Sequence, residues 1–252
     1  MITEDHKSPY TEMGMQTYKA IDAALRERAT PEKATAQMRF FKTGSGQYGE
    51  GDVFLGVSVP EQRAIAKRFW KETSLHDIQA LLSRTVHEYR LTALFILVLK
   101  FQKSREEEER DSILRCYLAN LDSVNNWDLV DSSAHYLLGS WLLEHPAEIS
   151  LIDTLAASGQ LWRERISIMT TFAFIKADRF EPTLRLAEKF LSHPHDLIHK
   201  AAGWMLREIG NRNQAIEIRF LEQFHTVMPR TMLRYAIEKF PEAERKHWLH
   251  QS

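Results

Sequence analysis

Trp127 and Asp131 stand four residues apart in the run Asn125-Asn126-Trp127-Asp128-Leu129-Val130-Asp131. If this run opens a helix, with an Asn oxygen capping the first free backbone N–H groups, indole and carboxylate lie one above the other on one face. A core accepts the indole and rejects the carboxylate. The pair therefore suits a surface that meets something flat or cationic, an aromatic wall with a negative charge beside it. A core Trp with an unrelated surface Asp is the plainer alternative. Three later stretches weigh against it. Arg163 and Arg165 fall in the first turn of an apolar helix, where cations oppose the helix dipole and add little stability. Lys200 and Trp204 are again four apart, and the small residues Ala201, Ala202 and Gly203 are expected to leave room beside the indole. Arg230 and Arg234 share one face of a further helix.

The elements that must position these residues read as helices. An amphipathic helix is predicted from Tyr10 to Arg28, and a second from Pro31 to about Phe41, with Thr30 as its N-cap. Another starts at Val59-Pro60. Helices then follow at 74–83, 87–102, 105–121, 126–144, 146–157, 161–177, 181–191, 196–210, 213–225 and 229–240, with a tail helix to about 250. Nothing after Leu55 alternates with the two-residue period of a strand. Arg90, Asp128, Arg165, Lys200 and Arg230 each sit near a helix start, at intervals of roughly 30–38 residues, and an apolar turn with small side chains follows each. That spacing predicts an all-α, HEAT-like helical-repeat solenoid, an α-α superhelix in a single domain, with one helix of each pair lining a concave face. Residues distant in sequence would then share one groove. The segment Lys42–Asp52 holds four of the ten glycines and is predicted to be a short β-hairpin or an ordered loop. It lacks the Lys-Ser/Thr ending of a phosphate-binding P-loop.

Apolar residues make up 44% of the 252 and charged residues 27%, the balance of a soluble globular protein. Ten Gly and eight Pro are few for a fold of many strands and turns. One cysteine, Cys116, excludes an internal disulfide and supplies no zinc site, so a reducing, cytoplasmic compartment is expected. No apolar run reads as a signal peptide or a membrane span, and no membrane partner is expected. Residues 1–9 are expected to be disordered and the chain monomeric. The net charge of −1 argues mildly against a nucleic-acid partner, but it hides an asymmetry. Residues 161–252 carry 15 Lys+Arg against 11 Asp+Glu, a net +4, and residues 1–160 carry 18 against 23, a net −5. A basic C-terminal half can present a basic stripe. The Glu106–Glu109 run reads as a solvated helix face.

Four segments together resemble the AlkD-type DNA alkylation repair proteins, which are HEAT-like solenoids. They are Phe54-Leu55-Gly56-Val57-Ser58-Val59-Pro60-Glu61-Gln62-Arg63, Asn126–Asp131, Leu161-Trp162-Arg163-Glu164-Arg165 and Lys200–Glu208. The likeness spans about Met38 to Phe240. It implies a glycosylase that releases N3- or N7-alkylated purines from duplex DNA without metal or cofactor. It further implies that Trp127, Asp131, Arg165 and Trp204 line the DNA-facing groove, part-exposed, with Arg230 or Arg234 nearby. In that reading Asp131 steadies an oxocarbenium ion, the two indoles hold the cationic sugar, and Arg165 holds a flanking phosphate. Arg163, Lys200, Arg207, Arg230 and Arg234 are expected to contact DNA. One branch of the family, AlkF/AlkG, carries a hairpin insertion and binds branched DNA without evident glycosylase activity. If residues 42–52 are that hairpin, non-catalytic binding of branched or distorted DNA is the alternative.

Overall fold

The computed structural model of the chain describes residues 9–250, so all but the last residue of the 1–9 segment expected to be disordered lies outside the described residues. Within them the α-helices are α1 (Pro9–Glu27), α2 (Pro31–Phe40), α3 (Val59–Phe69), α4 (Leu75–Leu82), α5 (His87–Lys103), α6 (Glu107–Ala119), α7 (Trp127–Asp131), α8 (Ser140–Glu144), α9 (Ser150–Ala156), α10 (Leu161–Thr170), α11 (Phe172–Lys176), α12 (Glu181–Lys189), α13 (Asp196–Arg212), α14 (Gln214–Phe224), α15 (Arg230–Ala236) and α16 (Glu242–His250). Among the described residues there is no strand beyond an isolated bridge between Val53 and Val86, and no helix is long and apolar enough to cross a membrane. The all-α, helical-repeat class expected from the sequence is the class observed.

The chain forms two compact units that divide between Ser133 and Ala134. In the first, α5 is the central element. It is apolar on nearly every side, buries thirteen of its seventeen residues, and packs against α1, α3, α4, α6 and α7. Its Glu88 is buried, and its carboxylate accepts the backbone N–H groups of Leu55 (3.0 Å), Gly56 (2.8 Å) and Val57 (3.2 Å). Gly56 has φ +83°, and a Cβ there would stand 2.1 Å from the Thr30 carbonyl oxygen. The Phe54–Val57 motif is thus a backbone nest closed on a carboxylate, tying the α2–α3 connection to α5.

In the second unit α13 is central and packs against α10, α11, α12, α14 and α15. Its small residues do not leave the room beside Trp204 that the sequence suggests; they serve helix approach instead. Ala201, Ala202 and Gly203 are buried, and a Cβ on Gly203 would lie 2.3 Å from the Met232 oxygen and 2.7 Å from the Tyr235 Cβ. Gly203→Ala is therefore expected to cost about 2 kcal/mol, lowering Tm by about 4–8 °C in a circular-dichroism melt.

Two helices expected to be continuous are interrupted. The 126–144 segment stops at Asp131, turns through Ser132–Ala134, makes a π-helical turn over His135–Gly139, and resumes as α8. Ser133 Oγ donates to the Leu129 oxygen at 2.6 Å, and Gly139 N–H reaches the Ala134 oxygen, five residues back, at 3.0 Å. The 161–177 segment breaks at Thr171, whose Oγ1 donates to the Ile168 oxygen at 2.7 Å. Residues 42–52 are an ordered loop of turns, closed by Gly49 N–H on the Lys42 oxygen at 3.1 Å.

Candidate functional site

Asn126 caps α7, its side-chain oxygen accepting the Trp127 N–H at 2.8 Å, and so fixes where the helix starts. Trp127 and Asp131 then occupy the first and last positions of this five-residue helix, both partly exposed. The indole is one end of a pile of rings. Trp127 stacks on Phe41 (5.1 Å, 22°), Phe41 on Phe54 (5.1 Å, 15°), and Phe54 on the imidazole of His87 (4.6 Å, 22°).

At the bottom of the pile lies a buried polar network. His87 Nδ1 is 3.1 Å from Asp52 Oδ2, and its Nε2 is 2.8 Å from Asp128 Oδ2. Two carboxylates on opposite edges of one ring are both satisfied only if both ring nitrogens carry a proton, so His87 is an imidazolium. Burial alone would push its pKa down, but the Asp128 and Asp52 carboxylates raise it to about 9. Arg90 pairs with the other Asp52 oxygen and bonds Asn125, and Asn126 Nδ2 donates to Asp52 at 2.9 Å. Burial works to raise the Asp52 pKa, and the His87, Arg90 and Asn126 contacts overcome it and hold the group below the usual carboxylate range. Two anions and two cations neutralise one another beneath α7, so the indole and the Asp131 end of the helix rest on a fixed floor.

This network is not legible in the sequence. Arg90 and Asp128 stand out there only as repeat markers, Asp52 only as the end of a glycine-rich segment, and His87 not at all. The bonded partners lie 35 to 74 residues apart, beyond any local pattern. The sole local hint is a His, a Glu and an Arg opening a largely apolar helix.

The remaining predicted residues lie in the second unit, on α10, α13 and α15, which pack in succession. Trp204 is partly exposed, donates Nε1–H to Glu208 at 2.8 Å, and stands 6.3 Å from the Phe172 ring. Arg165 departs from expectation. It is only 4% exposed, and its Nη1 donates to the Leu197 oxygen at 2.6 Å. Arg90 makes the equivalent bond to the Ser123 oxygen at 3.4 Å. Arg90 and Arg165, two of the repeat markers, thus each reach a backbone carbonyl 32 or 33 residues further on, near the start of a later helix, which explains their burial. Lys200 pairs with Asp196 at 2.9 Å, Arg207 with Glu208 and Glu238, and Arg230 donates to the Leu249 oxygen at 2.8 Å. Arg163 is partly exposed, and Arg230 and Arg234 are exposed. Among the described residues no group of three His, Cys, Asp or Glu is placed to hold a metal ion. A hollow of about 730 Å3 between α12 and α14, lined by Phe180, Leu184, Arg219 and Phe224 among others, contains none of the predicted residues.

Residues 21–240 match the family model described as DNA alkylation repair enzyme. A solved structure of a predicted DNA alkylation repair enzyme from Enterococcus faecalis is similar, with a TM-score of 0.67 and 20% identity over 85% of this chain and 98% of that one. At that identity the likeness establishes a shared fold. No curated protein matches the chain.

Proposed function

Given that the chain belongs to the DNA alkylation repair enzyme family, we propose that it is a monofunctional DNA glycosylase that releases N3- and N7-alkylated purines from duplex DNA. The observation that carries this reading is the Trp127–Asp131 pair: an indole in a fixed aromatic pile, with a carboxylate one helical turn away on the same short, capped helix.

The chemistry needs little more. Alkylation at N3 or N7 makes the purine a cation and thus a good leaving group. As the C1′–N9 bond breaks, its electron pair goes to the purine, which leaves neutral, and positive charge moves to the deoxyribose. The Asp131 carboxylate stabilises that oxocarbenium ion and accepts a hydrogen bond from the attacking water, whose oxygen bonds C1′ as its proton passes to the carboxylate. The face of Trp127 holds the cationic sugar, worth about 1–2 kcal/mol where water is excluded. Arg165, buried on the Leu197 carbonyl, acts by holding the start of α13, the helix that carries Trp204. Phosphate contacts then fall to the exposed Arg230 and Arg234 and the partly exposed Arg163, Lys200 and Arg207.

The ordered loop of turns at residues 42–52, in place of a hairpin, favours this reading over the alternative, non-catalytic binding of branched or distorted DNA. The test is release of free base from duplex containing N7-methylguanine, measured beside the salt dependence of DNA binding. A glycosylase gives base release and an affinity that falls steeply with salt. Salt-dependent binding without released base would return the reading to a DNA-binding module.

A further inference from the structure

Phe40 is 64% exposed, although a phenyl ring of this size is ordinarily kept from water. It is also not loose. The ring stands edge-on to Trp127 (5.7 Å, 74°) and to Phe41 (5.1 Å, 87°), so its orientation is set in advance and little rotamer freedom remains to be lost on binding. The glycine-rich loop supplies the clamp. Lys42 turns the chain back with φ +52°, Tyr48 Oη donates to the Phe40 oxygen at 3.4 Å, and Gly49 packs so close that a Cβ there would lie 2.4 Å from the Phe41 oxygen. In Arg39-Phe40-Phe41-Lys42, Phe41 is buried in the ring pile while Arg39, Phe40 and Lys42 are exposed.

We infer that this lip is a second DNA contact, in which Phe40 stacks on an unstacked nucleobase beside the lesion while Arg39 and Lys42 meet the adjoining phosphates. The inference rests on the DNA-repair reading of the Trp127–Asp131 site, with which the lip is continuous through the Trp127 ring. Its chemistry favours nucleic acid over a protein partner: one ring bracketed by two cations is too small and too polar-edged for a stable protein interface. It has what base stacking and phosphate attraction require. Every base offers a π-face, so the contact recognises a break in stacking and not a sequence. The glycine-rich loop then serves to hold an aromatic side chain out in water at a fixed angle.

The test uses the full chain and duplexes in which fluorescent 2-aminopurine flanks a stable abasic-site analogue, compared with intact duplex. Phe40→Ala is expected to lose roughly ten-fold of the preference for the interrupted duplex and to abolish the quenching of 2-aminopurine. Phe40→Trp should retain both. The slope of log affinity against log salt should be unchanged in Phe40→Ala and smaller by about one in Lys42→Ala. Because Phe40 is exposed, melting curves confirm that each variant is folded. Wild-type preference and quenching in Phe40→Ala would overturn the stacking contact while leaving the glycosylase reading standing. If the lip behaves as expected but no base is released from alkylated duplex, the glycosylase reading alone fails. A chain that binds no DNA overturns both.

Discussion

Asp131→Asn is expected to reduce single-turnover release of N7-methylguanine by about 10²–10³-fold while leaving DNA affinity undiminished. The substitution keeps the shape of the side chain and its place at the end of α7, and removes only the negative charge. That charge acts on a species that exists only near the transition state, the deoxyribose cation, so its loss appears in the chemical step and not in ground-state binding. The sign of the binding effect is a second check. A carboxylate facing a phosphate-rich ligand repels it, so the Asn variant binds DNA as well as or better than wild type. Quantifying free base by chromatography under enzyme excess, with Kd measured in parallel, separates the two effects. Equal losses in rate and affinity would make Asp131 a folding or docking residue and remove it from the chemistry.

Much of the fold is open to sequence reasoning because helices announce themselves locally. The starts of α2, α3, α5 and α10 fall where Pro-led turns and apolar periodicity put them, and the recurrence of polar residues at helix starts marks the repeat. What stays hidden is long-range. Arg165 looks out of place in the sequence because a cation in a first helical turn opposes the dipole. Its compensating partner is a carbonyl 32 residues away, and only the folded chain shows that the guanidinium turns inward to reach it. The breaks after Asp131 and at Thr171 are hidden for a different reason. Ser133 and Thr171 are unremarkable in a helical pattern, and only the side-chain bonds to preceding carbonyls reveal that they disturb the ladder there. The small residues around Trp204 suggest space because a sequence does not say which neighbour fills a gap. Here α15 fills it.

His87→Gln is expected to have the largest effect on stability, and pH separates its cause from simple loss of packing. Glutamine is neutral and cannot donate to Asp52 and Asp128 from opposite edges, so Arg90, paired with Asp52, is left as the one cation of the network. Breaking a buried charge network in this way costs about 3–5 kcal/mol, a Tm decrease on the order of 10 °C in a chain of this size. In the wild type the folded pKa of His87, about 9, lies above the unfolded value of about 6.5. The folded state therefore binds the extra proton between those values. The stabilisation is fully present below about pH 6.5, shrinks through the interval above it, and is gone once pH has risen past about 9. Asp52 works in the opposite direction, since its lowered pKa gives stability that is present above its ordinary value near 3.8 and lost as pH falls further. Thermal melts from about pH 6 to 10 should show a wild-type Tm that declines steeply toward alkaline pH and a His87→Gln Tm that is low and nearly flat, the two converging near the top of the range. The acid-side loss governed by Asp52 should persist in part in the variant, because Arg90 and Asn126 still contact that carboxylate. Parallel curves offset by a constant amount would mean that His87 is neutral in the folded protein, and the charge-balanced floor beneath Trp127 would have to be abandoned.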